Sequence, residues 1–499
     1  MQNDQEKFFN ILTIVYEHYL PLLIKDDCES VKLMDPNDKK VIGFHYGETH
    51  MGAAFIIGGI HFNRDDITEI GVQIINGFMV HSKEYQKEIA YHWDFNNFAL
   101  CTLYEYLEEN KRLDNLRIKI KQFVLTQKDS DNATINWYPM RIYVNDWKYR
   151  WTRKCEYLNK VNKLKKKISV AQYKDGFIED LLPKGTSFNL QYHMFTTAML
   201  AFLRLRGIEI ANLDLAVSRA IDMMDYQGDI NYLGRGNNQL FAWGPAVYLY
   251  KSLEESKAYN SAFNYVYGRS IETIQKNNLI LNDTNGEDKV WWWDYHFCSV
   301  YTAHYLMWMM LAAVENRKIY YENTKPKVED SGMHIHKGDF CVVTFDGRKH
   351  YLAESGKMIA DITDGNVCYF KGTFGPFFKD YGFLYSVPVN TIHNFIGVIT
   401  QCVKSGGLYI KTLYPDDINV DENDKELRIE LLFKKSQKGI FNLPLFIDNT
   451  NVEIKNANAE QIMMNKVSEY RGPYGMVNLY QSREMKIDSI VIKIAKTRV

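Results

Sequence analysis

Four short segments gather imidazole, phenol, amide and carboxylate groups where a plain helical core would be apolar. The first, YHWDFNNFAL (91–100), sets His92, Trp93, Asp94, Asn96 and Asn97 just ahead of a helix. An Asp or Asn before an apolar run caps the first free amides of a helix, which accounts for one of these residues but not for five. The second, YKDGFIEDLLPKGTSFNLQYHMFTT (173–197), has an Asp175-Gly176 turn, then Glu179 and Asp180, then Gln191, Tyr192 and His193 at a helix start. A Tyr-His pair serves proton transfer when neighbours bring its pKa values toward neutrality; its structural alternative is a cap with a half-buried Tyr. The third, NYLGRGNNQLFAWGPAVYL (231–249), holds Arg235 between two glycines, followed by Asn237, Asn238 and Gln239. Glycine lets a ligand approach the backbone, and the planar fork of Arg fits a carboxylate. The string is not GxGxxG and no strand precedes it, so it is not a nucleotide site. The fourth, WWWDYHFCSVYTAHYL (291–306), joins three tryptophans to Asp294, Tyr295 and His296. Consecutive helical residues point in different directions, so one of the tryptophans, Trp292 or Trp293 among them, faces a cleft or solvent as a sugar-stacking surface does.

The elements that must position these segments change character near residue 325. All nine Trp lie before it and six of the eleven Pro after it. Residues 98–112, 191–207, 215–227 and 296–317 repeat apolar residues at i, i+3, i+4 and i+7, the signature of helices, and Gly207 stands where a helix-terminating glycine belongs. Beyond Pro326 the runs shorten to β-branched strands at 340–345, 397–403, 407–414, 427–433 and 489–495, separated by Gly, Asn and Asp turns. The expectation is a multidomain α and β chain: an (α/α) toroid of helix hairpins over 1–325, followed by an antiparallel β-sandwich over 326–499. The KVNKLKKKI stretch (160–168) reads as a solvated helix face.

Composition narrows the function. At 499 residues the chain exceeds one compact domain of about 150 residues. A net charge of −1 gives no overall electrostatic case for nucleic acid, and aromatic residues at 14% suit a carbohydrate surface or a large core. Seven scattered Cys without a CxxC pair argue against a disulfide framework and a Cys-based zinc site. The longest apolar run, Tyr305 to Val314, is about half a membrane span. The N-terminal sequence reads as an amphipathic helix rather than a signal peptide. The expected compartment is therefore cytoplasmic as the sequence stands, or periplasmic or secreted if a signal has been removed.

The order of these segments resembles the toroid-plus-sandwich polysaccharide lyases: the heparinase II/III-like, alginate-lyase-like and chondroitin AC/hyaluronate-lyase-like groups. HWDFNNFAL is similar to their segment carrying an Asn that contacts a uronate carboxylate. KDGFIED followed by QYHMFTT is similar to the stretch before their catalytic Tyr, and LGRGNNQ to the one carrying a substrate-binding Arg. The chain departs from the chondroitin-lyase pattern where Glu179 and Asp180 stand in place of a His soon after the Asp-Gly pair.

The resemblance implies β-elimination of a uronic-acid glycan, an acidic polysaccharide or oligosaccharide, with no membrane or nucleic-acid partner. Removing the proton beside a carboxylate requires donors that neutralise that carboxylate. Asn96 or Asn97 with Arg235 fill that role, while Tyr192 and His193 serve as acid and base. Substrate contacts fall to His92, Trp93, Asn96, Gln191, Asn238, Gln239, Trp292, Trp293, Tyr295 and His296. No metal or cofactor is required. His334 and His336, two apart on one strand face, suit a structural zinc such as some heparinase-like relatives hold, though without an identified third ligand. The competing readings are an (α/α)-barrel glycoside hydrolase drawing two carboxylates from Asp94, Asp175, Glu179, Asp180 and Asp294, and a non-catalytic glycan-binding protein.

Overall fold

The computed structural model describes residues 3–25, 30–34, 41, 45–84, 92–130, 133–173, 176–180, 190–210, 212–222, 224, 228, 230, 240–253, 256–275, 299–321, 341–345, 348–352, 358–361, 397–404, 407–413, 417–422, 426–446, 452–472 and 475–495. Twelve α-helices lie among them: α1 (Asp4–Tyr19), α2 (Gly47–His61), α3 (Asp65–His81), α4 (Trp93–Asn110), α5 (Asp114–Thr126), α6 (Tyr138–Thr152), α7 (Cys155–Ala171), α8 (Leu190–Arg204), α9 (Leu213–Asp222), α10 (Trp243–Ser252), α11 (Ser256–Gln275) and α12 (Ser299–Val314).

The even-numbered helices form a closed inner ring. Each of α2, α4, α6, α8, α10 and α12 packs on the next, and α12 returns to α2. The odd-numbered helices make the outer layer: α3 lies on α2, α5 on α4, α7 on α6, α9 on α8 and α11 on α10, while α1 bridges α11 and α12. This is the toroid of six helix hairpins that the sequence pattern predicts.

Sequence explains which layer each helix joins. The outer helix α7 buries Val161, Leu164, Ile168 and Ala171, one stripe at helical spacing, with its lysines in water. The inner helix α2 buries every residue from Gly47 to Gly59, so it has no polar face to give solvent. Gly71 lets α3 approach α2 closely: a Cβ there would lie 2.9 Å from the Gly52 carbonyl oxygen. Helix α1 starts with a capping box, in which Asn3 accepts from the Gln5 amide and donates its own amide to Glu6. Gly207, at φ 76°, turns the chain after α8 as its position in the sequence predicts.

A short hairpin, β1 (Leu23–Lys25) with β2 (Val31–Leu33), packs on α3. The remaining strands all follow residue 340 and pair antiparallel. Strands β3 (Cys341–Phe345), β4 (Arg348–Leu352) and β5 (Met358–Asp361) form one meander. The larger sheet is organised by β9 (Glu426–Phe446). Its first part pairs with β8 (Asp417–Glu422) and β13 (Met485–Ala495); its last part pairs with β6 (Gly397–Lys404) and β12 (Gly475–Ser482). Strand β7 (Gly407–Leu413) extends β6, β10 (Val452–Asn456) extends β13 and β11 (Met464–Gly472) extends β12. The strands are as expected in kind. The face-to-face stacking of a sandwich is not carried by the described residues, and the 325/326 boundary lies outside them.

Among the described residues Cys101 and Cys155 are free thiols, no three His, Cys, Asp or Glu gather as metal ligands, and no helix is long and apolar enough to cross a membrane.

Candidate functional site

Because inner helices alternate with outer ones, all six run the same way, and their N-terminal turns meet at one end of the ring. The meeting is visible ring by ring. Tyr46, just ahead of α2, stacks on Phe95 of α4 at 4.3 Å, and Phe95 faces Phe195 of α8 at 6.2 Å. Phe195 packs on Phe241, just ahead of α10, at 4.9 Å. Phe241 stacks on His304 of α12 at 4.4 Å, and His304 returns to His50 of α2 at 5.2 Å. These rings are buried and form a floor. Above them His45, His92, Trp137, Tyr192 and Tyr301 are half-exposed and form a mouth. Tyr192 stands edge-on to Phe241 at 6.2 Å, Tyr301 lies 5.4 Å from it, and His92 lies 6.0 Å from Trp137.

The polar groups beneath the mouth hold it in shape. Asn96 donates to the carbonyls of His45 (2.7 Å) and His92 (3.0 Å) and accepts from Thr49 (2.8 Å). One side chain thereby clamps the first turns of α2 and α4. Asp94 receives a forked contact from Arg141, with Nη2 at 2.7 Å, and its amide donates to Ser130. Burial pushes the Asp94 carboxyl upward, while Arg141 pulls the other way. Asp180 accepts from the amide (3.1 Å) and side chain (2.5 Å) of Asn136, tying the 176–180 segment to the start of α6. Glu179 accepts from the Tyr173 hydroxyl at 2.6 Å.

Three imidazoles here are held neutral: His50, His92 and His304. Burial lowers His50 to about 3, burial and His45 lower His92 to about 3, and burial with His50 holds His304 well below its ordinary value. His45 and His92 approach at 3.5 Å between Nδ1 atoms, an arrangement that only one proton can serve. His50 Nδ1 lies 2.9 Å from the Tyr46 carbonyl, which fixes its tautomer.

The sequence-predicted residues divide between this end and elsewhere. His92, Asn96 and Tyr192 lie at the mouth or directly beneath it. Trp93, expected as a sugar contact, is 3% exposed and packs outward on Phe78 and Phe123 of the outer layer. Asn97, expected to meet a carboxylate, donates outward to the Lys128 carbonyl at 3.2 Å. His193, expected in proton transfer, stacks on Phe177 at 4.8 Å and accepts the Ile178 amide at its Nδ1. Gln191 is fully buried. Asp175, Arg235, Asn238, Gln239, Trp292, Trp293, Asp294, Tyr295, His296, His334 and His336 lie outside the described residues. The sequence reading missed the segment HYGETH (45–50), although it packs polar residues ahead of an apolar helix in the same way as HWDFNN.

No protein-family profile matches the chain, and no curated protein matches it. Among solved structures it is similar to an inactive variant of the α-1,6-mannanase GH76A of Salegentibacter sp. HEL1_6 in complex with α-1,6-mannotriose. The identity is 11% over 62% of this chain and 99% of that one, with a TM-score of 0.43. It is also similar to the Lin0763 protein from Listeria innocua, at 14% identity, 61% and 97% coverage and a TM-score of 0.39. A third is an unsaturated glucuronyl hydrolase variant from Streptococcus agalactiae, at 11% identity, 64% and 92% coverage and a TM-score of 0.39. None of the three is named a lyase. At these scores each activity remains a property of the protein that bears it.

Proposed function

We propose that the chain is a glycan-cleaving enzyme that holds a saccharide across the mouth at the N-terminal end of the inner ring. The observation that carries this reading is the convergence of Trp137, Tyr192 and Tyr301 with His45 and His92 on one rim over an aromatic floor. Flat amphipathic rings with polar edges stack on sugar faces and bond sugar hydroxyls. Six helix N-termini aimed at the same space favour negative charge there, which suits a uronate.

For such a substrate the chemistry is β-elimination, with Tyr192 and His92 as the proton-transfer pair in place of Tyr192 and His193. A carboxylate bound beside His92 raises its pKa from about 3 toward neutrality, so the base forms when the substrate arrives. Asn96 supports this by fixing the His92 backbone.

Hydrolysis is the second reading. Asp94 lies in the first turn of α4 and Asp180 in the segment tied to the start of α6, and burial raises the Asp94 carboxyl in the manner of a general acid. Both carboxylates are engaged, Asp94 by Arg141 and Asp180 by Asn136.

A panel of uronic-acid and neutral glycans decides between them. Elimination yields a conjugated double bond seen by ultraviolet absorbance. Hydrolysis yields reducing ends without absorbance. Binding without either product leaves a glycan-binding protein and overturns both chemistries.

A further inference from the structure

The far end of the ring, where the inner helices end, is built from other groups. A cavity of about 400 Å³ opens there between the last turns of α2, α4 and α12 and the residues after α8. Its charged lining is mostly paired. Glu105 accepts from Arg206 Nε at 2.6 Å and from the Tyr143 hydroxyl at 2.7 Å. Glu315 is gripped by Arg317 at 2.8 and 2.9 Å and receives the Tyr248 hydroxyl at 3.2 Å. Glu109 has no hydrogen-bond or ion-pair partner among the described residues, and its carboxyl is raised by burial and by Glu105. Burial and Lys251 lower the pKa of His61. Among the lining residues three carboxylates face two guanidinium groups, and Glu109 is the carboxylate left without a guanidinium of its own.

Two further observations concern what fills the space. The Thr102 hydroxyl on its wall is buried, with the residue 1% exposed, and has no partner among the described residues. A buried hydroxyl without a partner is costly and invites a donor or acceptor from a ligand or water. In addition, the chain already lodges two of its own ammonium groups at this end. Lys251 Nζ donates to the carbonyls of Ala312 and Ala313 at the end of α12, and Lys318 Nζ to those of Lys251 and Leu253 at the end of α10. Helix C-termini carry negative potential and accept such groups.

We propose that this cavity is a second binding site, for a small hydroxylated organic cation of the amino-sugar class. Its ammonium pairs with Glu109 and its hydroxyls meet Thr102. The volume lies in the range of small-molecule sites, far larger than a bare metal ion fills, and no metal-ligating trio gathers there among the described residues. The site lies at the opposite end from the mouth and stands or falls apart from the glycan reading.

The test is calorimetric titration of the full chain with glucosamine, N-acetylglucosamine and calcium chloride at pH 6. Glucosamine is expected to bind while its acetylated, uncharged analogue and calcium do not. Glu109→Gln, a near-isosteric change, should weaken glucosamine roughly tenfold or more, and Thr102→Val by about threefold. Equal binding of N-acetylglucosamine overturns the assignment of a cation, and calcium binding in place of glucosamine overturns that of an organic one. Glucosamine binding that survives Glu109→Gln unchanged places it elsewhere and overturns the site. No binding of any of the three overturns it as well.

Discussion

At the mouth of the ring His50 and His304 are buried as uncharged rings with the half-exposed His92 above them, whereas at the far end Glu105–Arg206 is an almost buried ion pair and the buried Glu315 is held by an exposed Arg317. Both ends are made from the tips of the same six helices. The N-terminal tips carry partial positive charge, which opposes protonation of an imidazole and so adds to the effect of burial. The C-terminal tips carry partial negative charge, so a carboxylate there needs its own guanidinium. One macrodipole therefore prepares one end to receive an anion and the other a cation. Burial of charge is a matter of which terminus surrounds it, not only of depth.

The largest effect expected from this contrast is acid unfolding. A histidine whose folded pKa lies below its unfolded value of about 6.5 contributes stability above 6.5, and that stability is lost as pH falls toward about 3. Stability from urea unfolding should therefore decline through that window. His304→Phe, which binds one proton fewer on unfolding, should show a slope shallower by about 1.4 kcal/mol per pH unit. An unchanged slope would mean that the buried rings do not govern the acid limb.

Next is the ionic end. Arg206 and Glu105 side chains are 8% and 12% exposed, and Arg206→Met strands the carboxylate, at a cost of about 3–5 kcal/mol. The double change with Glu105→Met should recover most of it. A loss near zero for the single variant would erase the distinction between the ends.

On the glycan reading Tyr192→Phe keeps the ring and lowers turnover about a hundredfold, or about 2.7 kcal/mol in the barrier, with the melting temperature nearly unchanged. Full activity in this variant would remove the mouth's proton donor.

The mouth end also holds an acid in its neutral form. Glu48 is fully buried, its Oε1 accepts from the Leu33 amide at 2.9 Å and its Oε2 has no partner among the described residues. Burial raises its pKa to about 8. The sign follows from the folded value exceeding the unfolded one: the contribution is complete below about 4.5 and is lost as pH rises to about 8. Glu48→Gln should therefore stabilise by on the order of 2 kcal/mol at pH 8 and by little at pH 4, as thermal melts at the two pH values would report.

Much of this architecture is legible in the chain. The 3.6-residue stripe of α7 and the alternating runs after residue 340 announce themselves, and even Gly207 sits where its sequence context placed it. Helix α2 does not, because beyond its first turn it is apolar all round and shows no face, and the HYGETH segment that leads into it goes unread as well. The site residues fail in a more instructive way. Trp93 and Asn97 are four apart and share a helix face, while Phe95, two residues and about 200° on from Trp93, points to the opposite side. Sequence gives that division but not which side looks into the ring, since only the packing of α3 and α5 against α4 decides it. The same holds for Tyr192 and His193, neighbours about 100° apart on α8, one at the mouth and one against Phe177.

The closure of the ring also sets a schedule. Gln5 of α1 donates to the Ala313 carbonyl of α12, a contact 308 residues apart. During synthesis α1 therefore emerges with its apolar face uncovered and waits for α12, which at cellular elongation rates takes about 15–60 s. Such non-local closure slows folding, and until α11 and α12 arrive α2 covers only part of the apolar face of α1, through contacts such as Tyr16 on Phe55. Slowing translation within the α12 codons should therefore raise aggregation more than slowing it after residue 341.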